Sequence, residues 1–282
     1  MFDLSGSVKS SRLTRRNFVI VSQTLIPIDT GLKDPYLLEI THHDVAMRGL
    51  PPALHGITVV QLSDLHGGFG NTKAVHDEAL RQVHAIKPDL ILLTGDFIDS
   101  NAMVKRYPIK EMLCQLRAPL GMFAALGNHD HRRGPVGTTR YLEEVGITVL
   151  VNQSIRTESG LWIAGVDDLY EGQPDVPATL RDLPSDATSI VLSHNPRLIE
   201  KVGDRDIFIL SGHTHGGQIA LPFPTPKMVC MFHLHCWQVA GWYTNKRTRL
   251  YVNRGLGVTG KPYRYHCPAE ISVFHLLNDQ VK

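Results

Sequence analysis

The sequence predicts an α/β fold, one domain built on two β-sheets. Three observations carry this. Apolar β-type runs alternate with helix-period patterns through the first half, the second half is richer in strands, and no linker-like stretch divides the chain. Residues 36–46 alternate loosely like an edge strand, which Gly49-Leu50-Pro51-Pro52 breaks. Residues 57–62 read as a buried strand. Val75, Ala79, Val83 and Ile86 then recur at helical spacing until Lys87-Pro88 ends that helix. Residues 89–94 form the next strand, a helix spans about 109–116, and residues 121–126 form a third strand. A helix near 138–145 precedes a strand at 147–151. Further strands are expected at 161–166, 189–193, 207–211, 248–252 and 271–276.

Composition narrows the function classes. The 282 residues are 43% hydrophobic, ample for a buried core and against a disordered chain. A formal charge of +2 is no footprint of a dedicated nucleic-acid binder, which disfavours a DNA-processing nuclease. Four cysteines without short paired spacing give neither a zinc finger nor a disulfide scaffold. Fifteen histidines direct attention to metals and proton transfer. Residues 1–35 read as an N-terminal extension, in which Arg15-Arg16-Asn17-Phe18 and a short apolar stretch resemble a degenerate twin-arginine leader; residues 36–282 read as the single domain. No run of about 18 apolar residues predicts a spanning helix. Cytoplasmic placement is the expectation, with twin-arginine export as the alternative.

The chemistry lies where strands end. Successive apolar runs terminate in Ser63-Asp64-Leu65-His66, in Thr94-Gly95-Asp96, in Gly127-Asn128-His129-Asp130, in Ser193-His194-Asn195 and in Gly212-His213-Thr214-His215. Open α/β sheets bind ligands beyond the carboxyl ends of strands, so five such endings should converge on one site. In Asp64-x-His66 and His213-x-His215, residues two apart point to the same side of an extended backbone, and each pair presents two ligands to one place. Carboxylate, amide and imidazole donors without thiolate suit manganese, iron or zinc.

These motifs, in this order over about residues 57–220, resemble the complete set of the calcineurin-like metallophosphoesterase superfamily. Arg254-Gly255-Leu256-Gly257 and Cys267-Pro268-Ala269-Glu270-Ile271 are similar to the closing segment of its small bacterial phosphodiesterase branch, with Ala269 set between the Pro and Glu that the branch joins. The resemblance implies a four-layer αββα sandwich of two mixed sheets flanked by helices. It implies two divalent ions, manganese favoured over iron or zinc. Asp64, His66 and His215 would hold one, Asn128, His194 and His213 the other, and Asp96 would bridge them. His129 would stand near the leaving-group oxygen with Asp130 orienting it.

Two divalent ions can clamp the attacking and leaving oxygens of an in-line displacement and turn a shared water into a nucleophile near neutral pH. Four positive charges, less those of Asp64, Asp96 and a hydroxide, leave +1, which matches a phosphodiester better than a monoester. A protonated His129 would donate to the departing alkoxide. The expectation is a phosphoesterase acting on small-molecule or lipid-linked phosphodiesters or pyrophosphates. A UDP-2,3-diacylglucosamine-type pyrophosphatase with peripheral membrane contact is the alternative, and a noncatalytic scaffold is disfavoured by the full ligand set. Residues 222–237, with Phe223, Met228, Met231, Phe232 and Trp237, read as a specificity loop rather than a zinc site of Cys230, His233, His235 and Cys236. Arg254 is a candidate substrate contact, as are Lys261 and Arg264, although solvated surface charge is the plainer reading. His42, His43, His76 and His84 read as surface residues, and Asp167 and Asp168 as a turn or an outer support of the site.

Overall fold

The computed structural model describes residues 16–20, 37–68, 72–99, 109–185, 187–220 and 234–280. Among the described residues, thirteen strands form two mixed sheets. Sheet one runs in the order β1 (Arg16–Ile20), β2 (Leu37–Met47), β13 (Ala269–Asn278), β3 (Thr58–Leu62), β4 (Leu90–Thr94), β5 (Met122–Ala125), β6 (Thr148–Val149). Sheet two runs β11 (Gly241–Asn245), β12 (Thr248–Val252), β10 (Phe208–Ser211), β9 (Ser189–Leu192), β8 (Trp162–Gly165), β7 (Gln153–Arg156). The pairs β3/β4, β4/β5, β5/β6, β8/β9, β9/β10 and β10/β12 are parallel. β13 lies antiparallel to β3 and parallel to β2.

Alternation along the central strands explains the layers. Leu90 and Leu92 of β4 enter the core between the sheets, while Ile91 and Leu93 enter the core beneath the helices. Strands apolar on both faces are what a covered parallel sheet requires. β4 lies over β9 and β5 over β8. From sheet one Val59, Phe123 and Phe274, and from sheet two Ile163, Ile190, Phe208 and Leu210, fill the interval. Outside sheet one, α1 (Lys73–Ile86), α2 (Lys110–Leu113) and α4 (Pro135–Glu143) contribute Val75, Ala79, Val83, Met112, Leu113 and Leu142. Outside sheet two, α5 (Val176–Arg181) and a 3-10 turn at Pro196–Glu200 contribute Leu180, Leu198 and Ile199. The expected four-layer sandwich is the observed one.

Several local expectations change. β2 is internal rather than an edge, because β13 pairs with it along ten residues and β1 pairs with its other side. β1 also puts Arg16–Ile20, part of the segment read as an extension, onto the sheet; Arg15 lies outside the described residues. His76 is fully buried rather than on the surface. It stands three and seven residues before Ala79 and Val83, and so lies on the inward face of α1. Burial pushes its pKa down to about 4. Strands β7 and β11, with burial alternating only weakly, escape pattern reading.

Truncating Leu92, fully buried between the sheets, should show how far the sandwich rests on that core. Leu92→Ala is expected to cost about 2–5 kcal/mol of unfolding free energy, measured by urea denaturation on metal-free protein.

Candidate metal centre

All five sequence-predicted strand endings meet at one end of the sandwich. β3 delivers Asp64 and His66, β4 delivers Asp96, and β5 leads into α3 (Asn128–Arg133), which begins with Asn128 and His129. From sheet two, β9 delivers His194 and β10 delivers His213 and His215. Loop segments pair to hold these ends in register. The N–H of Asp64 donates to the Gly95 carbonyl (2.9 Å), that of His66 to the Asp96 carbonyl (2.9 Å), and that of Gly212 to the His194 carbonyl (3.0 Å).

Cross-sheet bonds join the two halves. The His213 N–H reaches both carboxylate oxygens of Asp64 at 3.1 Å. Gln61, buried within β3, donates to the Ser211 carbonyl and to Thr94 Oγ1, each at 3.0 Å. His194 Nδ1 lies 2.7 Å from the Thr94 carbonyl. That carbonyl can only accept, so Nδ1 carries a proton and Nε2 faces the site, where burial opposes charge on the ring but the adjacent Asp96 carboxylate outweighs it and holds the His194 pKa well above its ordinary value.

Three groups of donor atoms result among the described residues: Asp64, His66 and His215 form the first, Asp96, His194 and His213 the second, and His66 with Asp99 and His129 a third that shares His66 with the first. In the first, His66 Nε2 and His215 Nε2 are 3.0 Å apart, and His215 Nε2 is 3.2 Å from Asp64 Oδ1. In the second, His194 Nε2 is 3.1 Å from both Asp96 Oδ2 and His213 Nδ1. Asp96 Oδ2 is also 3.6 Å from His66 Nε2, so one oxygen faces a histidine of each group. Asn128 Oδ1 is buried without a hydrogen-bond partner. Imidazole lone pairs, carboxylate oxygens and an orphaned amide oxygen, gathered out of water, are satisfied together by cations and poorly by one another. The donor set therefore fits two divalent ions of the manganese, iron and zinc kind.

The backbone is strained at this place. Asp64, His66, Asp96, His213 and His215 all have positive φ, between 44° and 72°. They make up five of the eleven non-glycine residues with positive φ among those described, and such strain concentrates at functional sites. Two glycines make room: a Cβ on Gly212 would strike the Ser63 hydroxyl and the Asp64 carboxylate, and one on Gly127 would strike Asp96.

Electrostatics separate the histidines. Burial, then the neighbouring His194, pushes His213 down to about 3, and burial, then His66 and Arg264, holds His215 well below its ordinary value. Both are thus neutral and able to act as ligands. Burial also opposes charge on His129, but the carboxylate hydrogen-bonded to it outweighs this and raises its pKa. That carboxylate belongs to Asp99, whose Oδ1 is 2.6 Å from His129 Nδ1.

This corrects the expected role of Asp130. Its buried carboxylate accepts the backbone N–H groups of Asp96 (2.8 Å), Phe97 (2.9 Å) and Gly127 (2.8 Å), bracing the β4 and β5 loops rather than His129. Asp99 is the partner that sequence reading missed; its one signal is a place three residues after Asp96. Arg254 is corrected too. Its guanidinium is taken up by Glu270 Oε2 (3.0 Å) and Glu39 Oε2 (2.7 Å), both carboxylates buried, so it does not stand free for substrate. Arg264 is neither solvated nor at the mouth, being 3% exposed, whereas Lys261 is exposed as expected. Asp167 meets His131 Nε2 at 2.7 Å, and Asp168 caps a turn through the N–H groups of Tyr170 and Glu171. Cys230, His233, Phe223, Met228, Met231 and Phe232 lie outside the described residues; Cys236 is a free, buried thiol and Trp237 is exposed.

Comparison with known proteins follows the same residues. The calcineurin-like phosphoesterase family matches residues 57–217. An uncharacterized metallophosphoesterase of Bacillus subtilis is 36% identical, covering 86% of this chain and 87% of its own length. A UDP-2,3-diacylglucosamine pyrophosphatase of Chlamydia muridarum is 29% identical, covering 92% of this chain and 95% of its own. An uncharacterized metallophosphoesterase of Campylobacter jejuni is 33% identical, covering 92% and 68%.

The Asp99–His129 contact yields a test independent of turnover. In Asp99→Asn the stabilising carboxylate is lost while burial and Arg132 still oppose the charge, so the His129 pKa should fall below its wild-type value. The measurement is an NMR pH titration of the His129 ring protons in metal-free protein.

Proposed function

The chain belongs to the calcineurin-like phosphoesterase family, and from that premise we propose that it hydrolyses phosphodiester or pyrophosphate bonds with two divalent ions, manganese foremost. Family membership makes it a phosphoric ester hydrolase; the bond preference and the metals are our reading. Asp64, His66 and His215 would hold one ion, Asn128, His194 and His213 the other, with Asp96 shared. The observation that carries this is the Asp96 carboxylate oxygen facing both His66 and His194 at 3.6 and 3.1 Å. Bound ions would supply positive charge for the phosphoryl oxygens and acidify water to near neutrality.

The protein's own groups supply the rest. His129 is 19% exposed at its side chain and raised in pKa by Asp99. It is a proton donor placed beside His66, ring centroids 4.8 Å apart, where a leaving oxygen would depart. Asp99 fixes the ring by taking Nδ1–H, which leaves Nε2–H to donate. The Asp96 carboxylate also accepts the His129 N–H at 2.9 Å, which ties the start of α3 to the shared ligand. Asp130 holds the loops carrying both in place.

A lipid-linked nucleotide is the second reading, favoured by the likeness to the Chlamydia muridarum pyrophosphatase along nearly the whole of both chains. Such a substrate would be met at a membrane surface, although no helix among the described residues is long and apolar enough to cross one.

Metal-stripped protein resupplied with Mn²⁺, Fe²⁺ or Zn²⁺ is expected to hydrolyse bis-p-nitrophenyl phosphate faster than p-nitrophenyl phosphate. Asp96→Asn should abolish the activity. His129→Ala should lower kcat by about 10²–10⁴-fold with metal content retained. Faster monoester cleavage would overturn the diester preference, and a UDP-linked diacyl substrate cleaved where the nitrophenyl diester is not would favour the second reading.

A further inference from the structure

Arg264 follows no motif and lies 3% exposed beneath the metal centre. A buried guanidinium is costly unless its donors are met. Here carbonyl oxygens meet them. Nε donates to Gly257 (3.1 Å), Nη1 to His215 (3.3 Å) and Cys267 (3.5 Å), and Nη2 to Arg254 (2.8 Å), Gly255 (3.0 Å) and Gly257 (2.5 Å). Nη2 also stands 3.4 Å from His215 Nδ1, on the side of the ring away from Asp64.

The segments so joined are those that shape one donor group. In residues 254–257, the N–H of Leu256 donates to the Ser63 carbonyl (3.0 Å) and that of Gly257 to the Asp64 carbonyl (2.6 Å). Gly255 lies against the Asp64 side chain closely enough that a Cβ there would come within 2.6 Å of Asp64 Cβ. One planar fork therefore ties the backbone of His215, from sheet two, to the loop that seats Asp64, from sheet one. Neither Asp96, His194 nor His213 is among its partners.

We propose that Arg264 is a positioning residue for the Asp64–His66–His215 pocket, setting its metal affinity without touching metal or substrate. The proposal rests on the two-ion reading above. Lysine cannot replace it, because an ammonium has three donors on one atom and cannot span carbonyls from separate segments.

The test is metal binding by isothermal titration with Mn²⁺ on stripped protein. Wild type should bind two ions, and His213→Ala should retain one, in the Asp64 pocket. Adding Arg264→Lys to His213→Ala should weaken that remaining ion about 10–100-fold. Arg264→Lys alone should lose affinity for one ion of the two. Leu116→Ala, a core truncation beneath the outer helices, controls for general destabilisation and should lower Tm with both affinities kept. Arg264→Gln, which keeps amide donors without the charge, is expected to give the same selective loss and serves in place of a lysine variant that does not fold. Unchanged affinities in folded Arg264 variants would overturn the proposal while leaving the two-ion reading intact. So would losses matched by Leu116→Ala at equal Tm. A wild-type protein that binds no ion would overturn both.

Discussion

The candidate metal centre straddles the gap between two sheets, and the rest of the molecule is arranged around that fact. Asp64, His66, Asp96 and Asn128 leave sheet one; His194, His213 and His215 leave sheet two. Neither of the two groups assigned to an ion is complete within one sheet, since His215 completes the pocket of Asp64 and His66, while Asp96 joins that of His194 and His213. The site therefore exists only when the apolar core between the sheets has set their relative position. Large side chains such as Phe208, Phe274 and Leu92 are fully buried in that core, and close packing makes it resistant to small displacements. Hydrophobic burial supplies the alignment that the donor atoms cannot supply for themselves, because they repel or desolvate one another in the absence of cations.

A second set of interactions converts that alignment into ångström-level geometry. Cross-sheet bonds from Gln61, His194 and the His213 N–H close the polar end of the gap. The Asp130 carboxylate gathers three loop N–H groups, and Arg264 gathers carbonyls of the opposite polarity from the other side of the site. These bonds hold five of the converging donor residues in a backbone conformation that L-residues adopt at a cost of about 1–3 kcal/mol each. Strain of that size persists only when neighbouring contacts over-determine it, which gives the dense hydrogen bonding around the site a physical reason.

The donor residues that converge at the site were legible in the sequence because each closely follows an apolar run, and a strand end is a position that periodicity locates well. Supporting residues have no such marker. Asp99 acts on His129 across a loop, Gln61 is a polar residue inside a buried strand, and Arg264 reaches back along the chain to the His215 turn. Their partners are set by tertiary approach. Asp130 misled for the opposite reason: adjacency to His129 suggested contact, but in α3 neighbouring side chains diverge and the carboxylate turns back to cap loop N–H groups. The layered fold was legible through the central strands, buried on both faces, whereas β7 and β11 at the edges of sheet two carry little apolar pattern to read.

The pairing of Arg254 bears on how an anionic substrate can be met. Its guanidinium is shared between Glu39 and Glu270, and Glu270 also takes hydrogen bonds from Thr41 and Tyr251. A phosphate that recruited Arg254 would leave two buried carboxylates uncompensated, and breaking a buried pair in that way costs about 3–5 kcal/mol. Arg264 is likewise committed to carbonyls. Arg254 and Arg264 are therefore engaged in holding the site together, and on the two-ion reading the charge that faces the phosphoryl group comes chiefly from the metals and His129. Attraction of that kind recognises any phosphate of suitable charge. Discrimination among substrates must then fall to groups at the rim, and Tyr170 is one described residue placed there. Its ring lies 5.2 Å from that of His213, it is 40% exposed, and its hydroxyl is fixed by the Leu234 carbonyl. An aromatic face held rigid beside a charged centre selects by shape and stacking, a contribution independent of the electrostatics that bind the phosphate.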